Sequence, residues 1–320
     1  MKTSKLSRAL YALSCLILVL CLSVATPARQ GEPAKSKADE LVKKGDDLYK
    51  AGKFKDAIEA YKEALNHDAN NDQAIAYIGY SFNKMGDKES ARQWMKRRID
   101  MTGQTPSKKA STLADLALLY WDDAHLQVLG FLATGNMTVV KPEDKAAVVK
   151  MIAEGIDSAQ KAVTIAPRSV KGFNLLNLLY RTNAAMESDP ARRKEMLSRA
   201  DDALRQSIQF YEANTQVQQS ADMFMAPTIS TLDGSELGEA VKLGQATNKV
   251  QPDSKDAKGP LAVEVLIGRD GKTRFNRLVA GQGKAGDAAL AASRQWTFEP
   301  TTFEGHPVQV FSIINFTAKQ

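Results

Sequence analysis

Residues 38–71 read "ADELVKKGDDLYKAGKFKDAIEAYKEALNHDANN", and the next 34 residues repeat the pattern. Shifted by 34, Gly45 meets Gly79, Gly52 meets Gly86, Ala57 meets Ala91, Leu41 meets Ile75, Leu48 meets Phe82 and Leu65 meets Ile99. A fixed period of this length marks a supersecondary unit stacked on copies of itself. The first copy divides into helices at about 38–51 and 54–67 joined at Gly52, which accepts the positive φ of a helix end. Gly45 and Ala57 are small where the two helices would cross, and Leu41, Leu48, Tyr61 and Leu65 surround that crossing at helical spacing.

These positions resemble the signature of the tetratricopeptide repeat: Leu41, Gly45, Leu48, Gly52, Ala57, Tyr61 and Ala64 in the first copy, then Ile75, Gly79, Phe82, Gly86 and Ala91 in the second. The second copy departs from the pattern at Lys88 and Arg98, where an aromatic and a small residue are preferred, so its outer helix is expected to pack less well. Beyond residue 105 the period breaks while the helical grammar persists. Helices are expected at 109–132, 143–169, 170–185 and 192–214, the last two separated by the turn-prone "MESDP". The count is about four hairpins between 36 and 215, the outer two degenerate. The resemblance implies a wall that takes a peptide or a helix, so protein binding is the expected function. The subtype that grips carboxylates uses Lys and Asn along its inner helices, and Asp46 on the first inner helix argues against it.

Residues 216–258 lose helical periodicity and read as a linker, with a short helix expected at 235–243. Within it "MFMAP" (223–227) is apolar and is expected to dock on the last hairpin.

From Gly259 the period changes to two. Leu261, Val263, Val265 and Ile267 fall on one face, Asp270-Gly271 signals a two-residue hairpin, and a second strand is expected at 273–280. A helix at about 284–296 presents small Ala289, Ala292 and Ser293, and a last strand at 307–317 alternates Val308, Val310, Ser312, Ile314 and Phe316. The order strand, strand, helix, strand predicts an antiparallel sheet with one face covered by a helix. The fold class is thus an all-α helical-hairpin solenoid followed by a small α+β domain at 259–320.

"VEVLIGRDGK", "DAALAASRQWTFEP" and "GHPVQVFSIINF" resemble the C-terminal domain of the TonB family, with Asp270, Gly271, Ala289, Leu290, Trp296, Phe298 and Pro300 among the matching residues. The resemblance implies a periplasmic module whose sheet edge pairs with a short strand of an outer-membrane receptor. On that expectation the backbone at Val308, Val310, Ser312 and Ile314 offers the pairing edge, and Trp296, Phe298 and Pro300 serve as core and chain stop. The chain departs from a transducer in having 11 prolines, none clustered, in place of a stiff spacer.

The chain opens with a basic "MKTSKLSR" and a 17-residue apolar run at 9–25 ending in Ser23-Val24-Ala25. This pattern reads as a secretory signal cut after Ala25, with an uncleaved inner-membrane anchor or a lipid on Cys21 as alternatives. Both cysteines lie in that segment, so a mature chain would hold no disulfide, thiolate metal site or cysteine nucleophile. Lys2, Lys5 and Arg8 leave with it, taking the net charge from +6 to +3, too small an excess to argue nucleic acid. Membrane contact would then come only through this segment, if it is uncleaved.

The three histidines, His67, His125 and His306, fall in different elements with no metal-ligand or nucleophile spacing, and "GQGKAG" (281–286) lacks the spacing of a phosphate loop. No catalytic residue, metal or cofactor is expected. The sequence predicts an exported bacterial adaptor that binds protein partners in the periplasm. The alternative is a TonB-type energy transducer component serving an outer-membrane receptor.

Overall fold

The computed structural model describes residues 31–133, 142–231, 240–253, 257 and 259–316. The export segment 1–25, with its cleavage site and both cysteines, lies outside the described residues. Among the described residues no helix is long and apolar enough to cross a membrane. The chain forms two compact units, up to Ile78 and from Gly79 onward.

In the first unit, helices α1 (Gly31–Lys50) and α2 (Phe54–His67) form a hairpin, followed by the start of α3 (Asp72–Lys84). The turn is made as the sequence requires: Gly52 sits at φ +73°, and the Lys53 N–H donates to the Leu48 carbonyl at 2.9 Å. Gly45 lies directly against Tyr61, so closely that a Cβ there would stand 2.5 Å from a ring carbon. Tyr61, fully buried, donates its hydroxyl to Asp46 at 2.8 Å. The second Asp46 oxygen accepts from the Gln73 side chain at 2.8 Å, tying α3 to α1.

The second unit continues with α4 (Lys88–Ile99), α5 (Pro106–Ala133), α6 (Pro142–Ile165), α7 (Val170–Met186) and α8 (Pro190–Glu212), close to the expected boundaries. Sequence chemistry sets the helix starts: the side chains of Asp87, Ser169 and Asp189 each accept from the backbone N–H three residues on. The glycine crossing recurs, with Gly79 against Met95 and Gly155 against Leu179. The outer helix α4 buries Ala91, Arg92 and Met95, fewer residues than the five of α2, as its departures from the repeat pattern predict.

The short helix α9 (Thr215–Gln218) and a 3₁₀ turn at Met223–Met225 lead to strands β1 (Thr228–Ser230), β2 (Val241–Lys242) and β3 (Ala246–Asn248). Next come β4 (Leu261–Ile267), β5 (Thr273–Ala280), helix α10 (Gly283–Ser293), β6 (Thr297–Phe298), β7 (Thr301–Phe303) and β8 (His306–Phe316). The main sheet has the order β2-β7-β8-β4-β5, antiparallel throughout, and β1 joins β8 in parallel. Strands β3 and β6 form a separate two-stranded ribbon.

Three expectations are corrected. The segment read as a linker supplies three strands, and of the helix expected at 235–243 the part at 241–242 is strand while 235–239 lies outside the described residues. The β4–β5 turn is a three-residue loop, Arg269 to Gly271, because the Gly268 N–H donates to Lys272 O and the Gly271 N–H to Gly268 O. Finally, the sheet is covered on both faces: every residue of β4 is buried. Val263, Val265, Ile267, Val308, Val310 and Ile314 pack with Ala285, Ala289 and Ala292 of α10. On the other face Leu266 and Phe311 share a core with Trp121 and Ala124 of α5 and Leu175, Leu178 and Leu179 of α7. Trp296 is half-buried against Phe298 and Phe316, and its indole N–H donates to Val250 O at 2.7 Å.

Candidate functional site

Strand β8 is not a free edge at Val308 and Val310, where the alternation of Val308, Val310, Ser312 and Ile314 suggested one. One side of it pairs with β4 over residues 310–316, from Val310↔Ile267 to Phe316↔Leu261. On the other side β7 covers 306–308 and β1 covers 309–311, and none of the described strands pairs with 312–316 there, so Ser312 and Ile314 are paired on the β4 side alone. Val308, Val310 and Ile314 are buried. The backbone groups at Val308 and Val310 are therefore already used, and the last strand of the sequence is an inner strand as far as Phe311. Among the described strands, those at the two ends of the order are β2 and β5.

Helix α7 carries a different recognition surface. Lys171, Asn174, Asn177 and Arg181 recur at spacings of three and four, which places them on one face of an otherwise apolar helix. Asn174 and Asn177 are fully buried and yet fully engaged. The Asn174 amide donates to Ala226 O at 3.0 Å and to Phe224 O at 3.2 Å, and its oxygen accepts from the Thr228 N–H at 2.8 Å. The Asn177 amide donates to Thr228 O, and its oxygen accepts from Arg181 Nε at 2.8 Å. The face thus reads the backbone of a 3₁₀ turn that runs into extended chain at Ala226 and Thr228, and that segment belongs to the chain itself.

Side chains complete the grip. Lys171 donates to Asp222 at 2.9 Å and to Asp115 of α5 at 2.8 Å, and Asp115 also accepts from the Tyr80 hydroxyl at 2.8 Å. Burial pushes the Lys171 ammonium down, but the two carboxylates outweigh it and hold the group above its ordinary value. Phe224 inserts its ring beside Trp121 and Phe311, with centroids 5.5 and 6.4 Å away. The apolar "MFMAP" stretch docks on α7 of the last hairpin, as expected, and also on α5, which belongs to an earlier hairpin. Beside it lies a hollow of about 550 Å³, bordered by Tyr80, Asn83, Ser111, Asp115, Lys171 and Asp222.

A second polar cluster fastens α5 to the sheet. Asp122 accepts from Arg277 of β5 at 2.9 Å and from Lys88 of α4. Arg277 also pairs with Glu264 of β4, whose other oxygen meets Nε2 of the fully buried His125. Burial pushes the Asp122 carboxyl up, yet Lys88 and Arg277 prevail and hold it below the ordinary carboxylate range. Lys88, a departure from the repeat pattern, is thus an anchor for the next hairpin.

The histidines do not converge: His67 ends α2, His125 is buried against Glu264, and His306 meets Glu212 at 2.8 Å. Among the described residues no group of three or more His, Cys, Asp or Glu could hold a metal ion. The tetratricopeptide positions Leu41, Ala57, Tyr61, Ala64, Ile75 and Ala91 are core, and Asp270, Gly271, Ala289 and Trp296 serve the turn, the helix and the packing of the sheet module. The Asn174/Asn177 pair escaped the sequence reading, although two amides three residues apart on an apolar inner helix were its visible signal.

No protein-family model and no curated protein matches the chain. Among solved structures, the crystal structure of MamA protein is 16% identical over 59% of this chain and 80% of that one, with a TM-score of 0.39. The TPR2AB-domain:pHSP90 complex of yeast Sti1 is 16% identical over 55% and 78%, at a TM-score of 0.26. MamA 41-end from Desulfovibrio magneticus RS-1 is 16% identical over 56% and 97%, at 0.24. At these TM-scores the likeness carries no argument. The repeat character of the helices rests on the chain's own glycine crossings and 34-residue period.

Proposed function

We propose that this chain is an exported adaptor that holds protein partners on a tetratricopeptide-like helical face in the periplasm. The single observation that carries the reading is the buried Asn174/Asn177 pair, which satisfies the backbone of Phe224, Ala226 and Thr228, where a 3₁₀ turn passes into extended chain, without regard to most of the side chains there. That is the chemistry of peptide capture. Export is supported by the basic and apolar N-terminus with its small-residue cleavage pattern, and the TonB-like sequence of the C-terminal module fits an envelope location. The transducer alternative draws no support from β8 at Val308 and Val310, where β7, β1 and β4 already occupy the backbone on which a receptor strand was expected to pair.

A photo-crosslinking residue at Ser111, on the hollow, tests the reading against one at Lys161, an exposed position on α6 outside it. The expected outcome is a discrete crosslinked partner from position 111 that is absent from position 161. Equal yields from both positions, or none from either, would contradict it.

A further inference from the structure

The peptide-reading face of α7 is already filled, and the way it is filled specifies what else would fit. This step rests on the protein-binding reading above. We infer that residues 222–226 are a built-in competitor for this face, and that the partner it takes presents the same pattern: an acidic residue capping a single tight turn, an aromatic residue two positions on within that turn, and extended backbone after it.

Each part of that pattern answers a group on the receiving surface. Lys171 already neutralises Asp115, and a second carboxylate at the Asp222 position completes its pairing. An aromatic ring two residues later packs beside the paired rings of Trp121 and Phe311. The amide of Asn174 requires carbonyls where Phe224 and Ala226 now supply them, since a buried amide left unpaired is costly. An apolar or basic segment would leave these groups unmet.

The two halves of the segment differ in how firmly they are held. Thr228, Ile229 and Ser230 are buried and paired with β8, so they stay in the sheet. Asp222 is 39% exposed, and Met223, Phe224 and Met225 are only half-buried. The hollow lined by Tyr80, Asn83 and Ser111 opens beside this looser half and gives an incoming peptide its approach. A tethered competitor acts at an effective concentration of the order of millimolar. An outside peptide therefore binds weakly until the segment is loosened, and the segment sets the threshold for partner capture.

The test uses the full chain and a fluorescein-labelled peptide of residues 220–227, titrated by fluorescence anisotropy. Wild-type protein is expected to bind it weakly. Asp222→Asn in the protein removes the ion pair that holds the segment and is expected to tighten binding by about tenfold or more. Adding Lys171→Ala to that variant removes the receiving group and returns binding to the wild-type level or below. Phe224→Ala in the protein is a second way to loosen the segment and should also tighten binding; native circular dichroism selects the variants scored. Binding no tighter in either loosened variant, or a gain that survives Lys171→Ala, would overturn the inference. If the peptide binds no variant while a partner still crosslinks at Ser111, this inference falls and the adaptor reading stands.

Discussion

Arg277 on β5 donates to Asp122 on α5 at 2.9 Å, joining residues 155 positions apart. Asp122 also pairs with Lys88, and Arg277 with Glu264, so a chain of charges runs from α4 through α5 into the sheet. The C-terminal module is thereby built onto the helical hairpins of the second unit.

Removing Asp122 takes the carboxylate partner from the partly buried Lys88, which keeps only the Asn83 amide oxygen among the described residues, and one of two carboxylates from Arg277. Asp122→Ala is expected to destabilise the second unit by about 2–3 kcal/mol. Urea denaturation followed by circular dichroism measures this directly, and a midpoint unchanged from wild type would show that the cluster contributes nothing.

The same carboxylate gives the unit a pH dependence of known sign. The folded-state pKa of Asp122 is depressed, so its contribution is fully present above the unfolded carboxylate value and is lost as pH falls through the lower folded value. Asp122→Asn should therefore flatten part of the acid limb of the stability curve. Melting temperatures of both proteins between neutral pH and the acid range check this. Parallel curves would assign the acid sensitivity to other groups.

The glycine crossings at Gly45 and Gly79 differ in what an added methyl would meet. At Gly45 it strikes the buried Tyr61 ring at 2.5 Å, whereas at Gly79 it meets the flexible end of Met95 at 2.7 Å. Alanine improves helix propensity by up to about 1 kcal/mol at both sites. Gly45→Ala is nevertheless expected to cost about 1–3 kcal/mol through overpacking, and Gly79→Ala to be close to neutral. Thermal melts of the two variants would refute the hairpin geometry if their order were reversed.

Val310 lies between Ile267 of β4 and Ile229 of β1. Proline there removes a ladder donor from an inner strand, so Val310→Pro should unfold the sheet, at a cost of about 3 kcal/mol or more, instead of abolishing a partner contact on an intact module. A variant that keeps its near-ultraviolet circular dichroism and melting transition would return β8 to the role of a free edge.

The hairpins were legible because their signals are local: a 34-residue period, glycine turns, and small residues opposite large ones. The strands β4, β5 and β8 and the helix between them were legible for the same reason, from alternation and a short alanine face. The two-sided cover of the sheet was not. Glu264 alternates with valines as a solvent-facing residue would, and only the fold brings His125 and Arg277 to it. Strand β1 spans three residues, too few to show a period, and its partner lies about eighty residues away, so the segment read as a linker and β8 as an edge. The amides Asn174 and Asn177 were visible as polar residues on an inner helix, but what they hold is set by tertiary structure.

The claim that matters most is that the peptide-reading helix and the sheet behave as one body, with β1 and the segment before it as the link. Native-state hydrogen exchange of wild type and Asp122→Asn tests it most directly. The account predicts that the slowest amides of α7, β4 and β8 open with a common free energy and that the substitution lowers all three equally. Sheet amides that open well before those of α7, with α7 unmoved by the substitution, would contradict it.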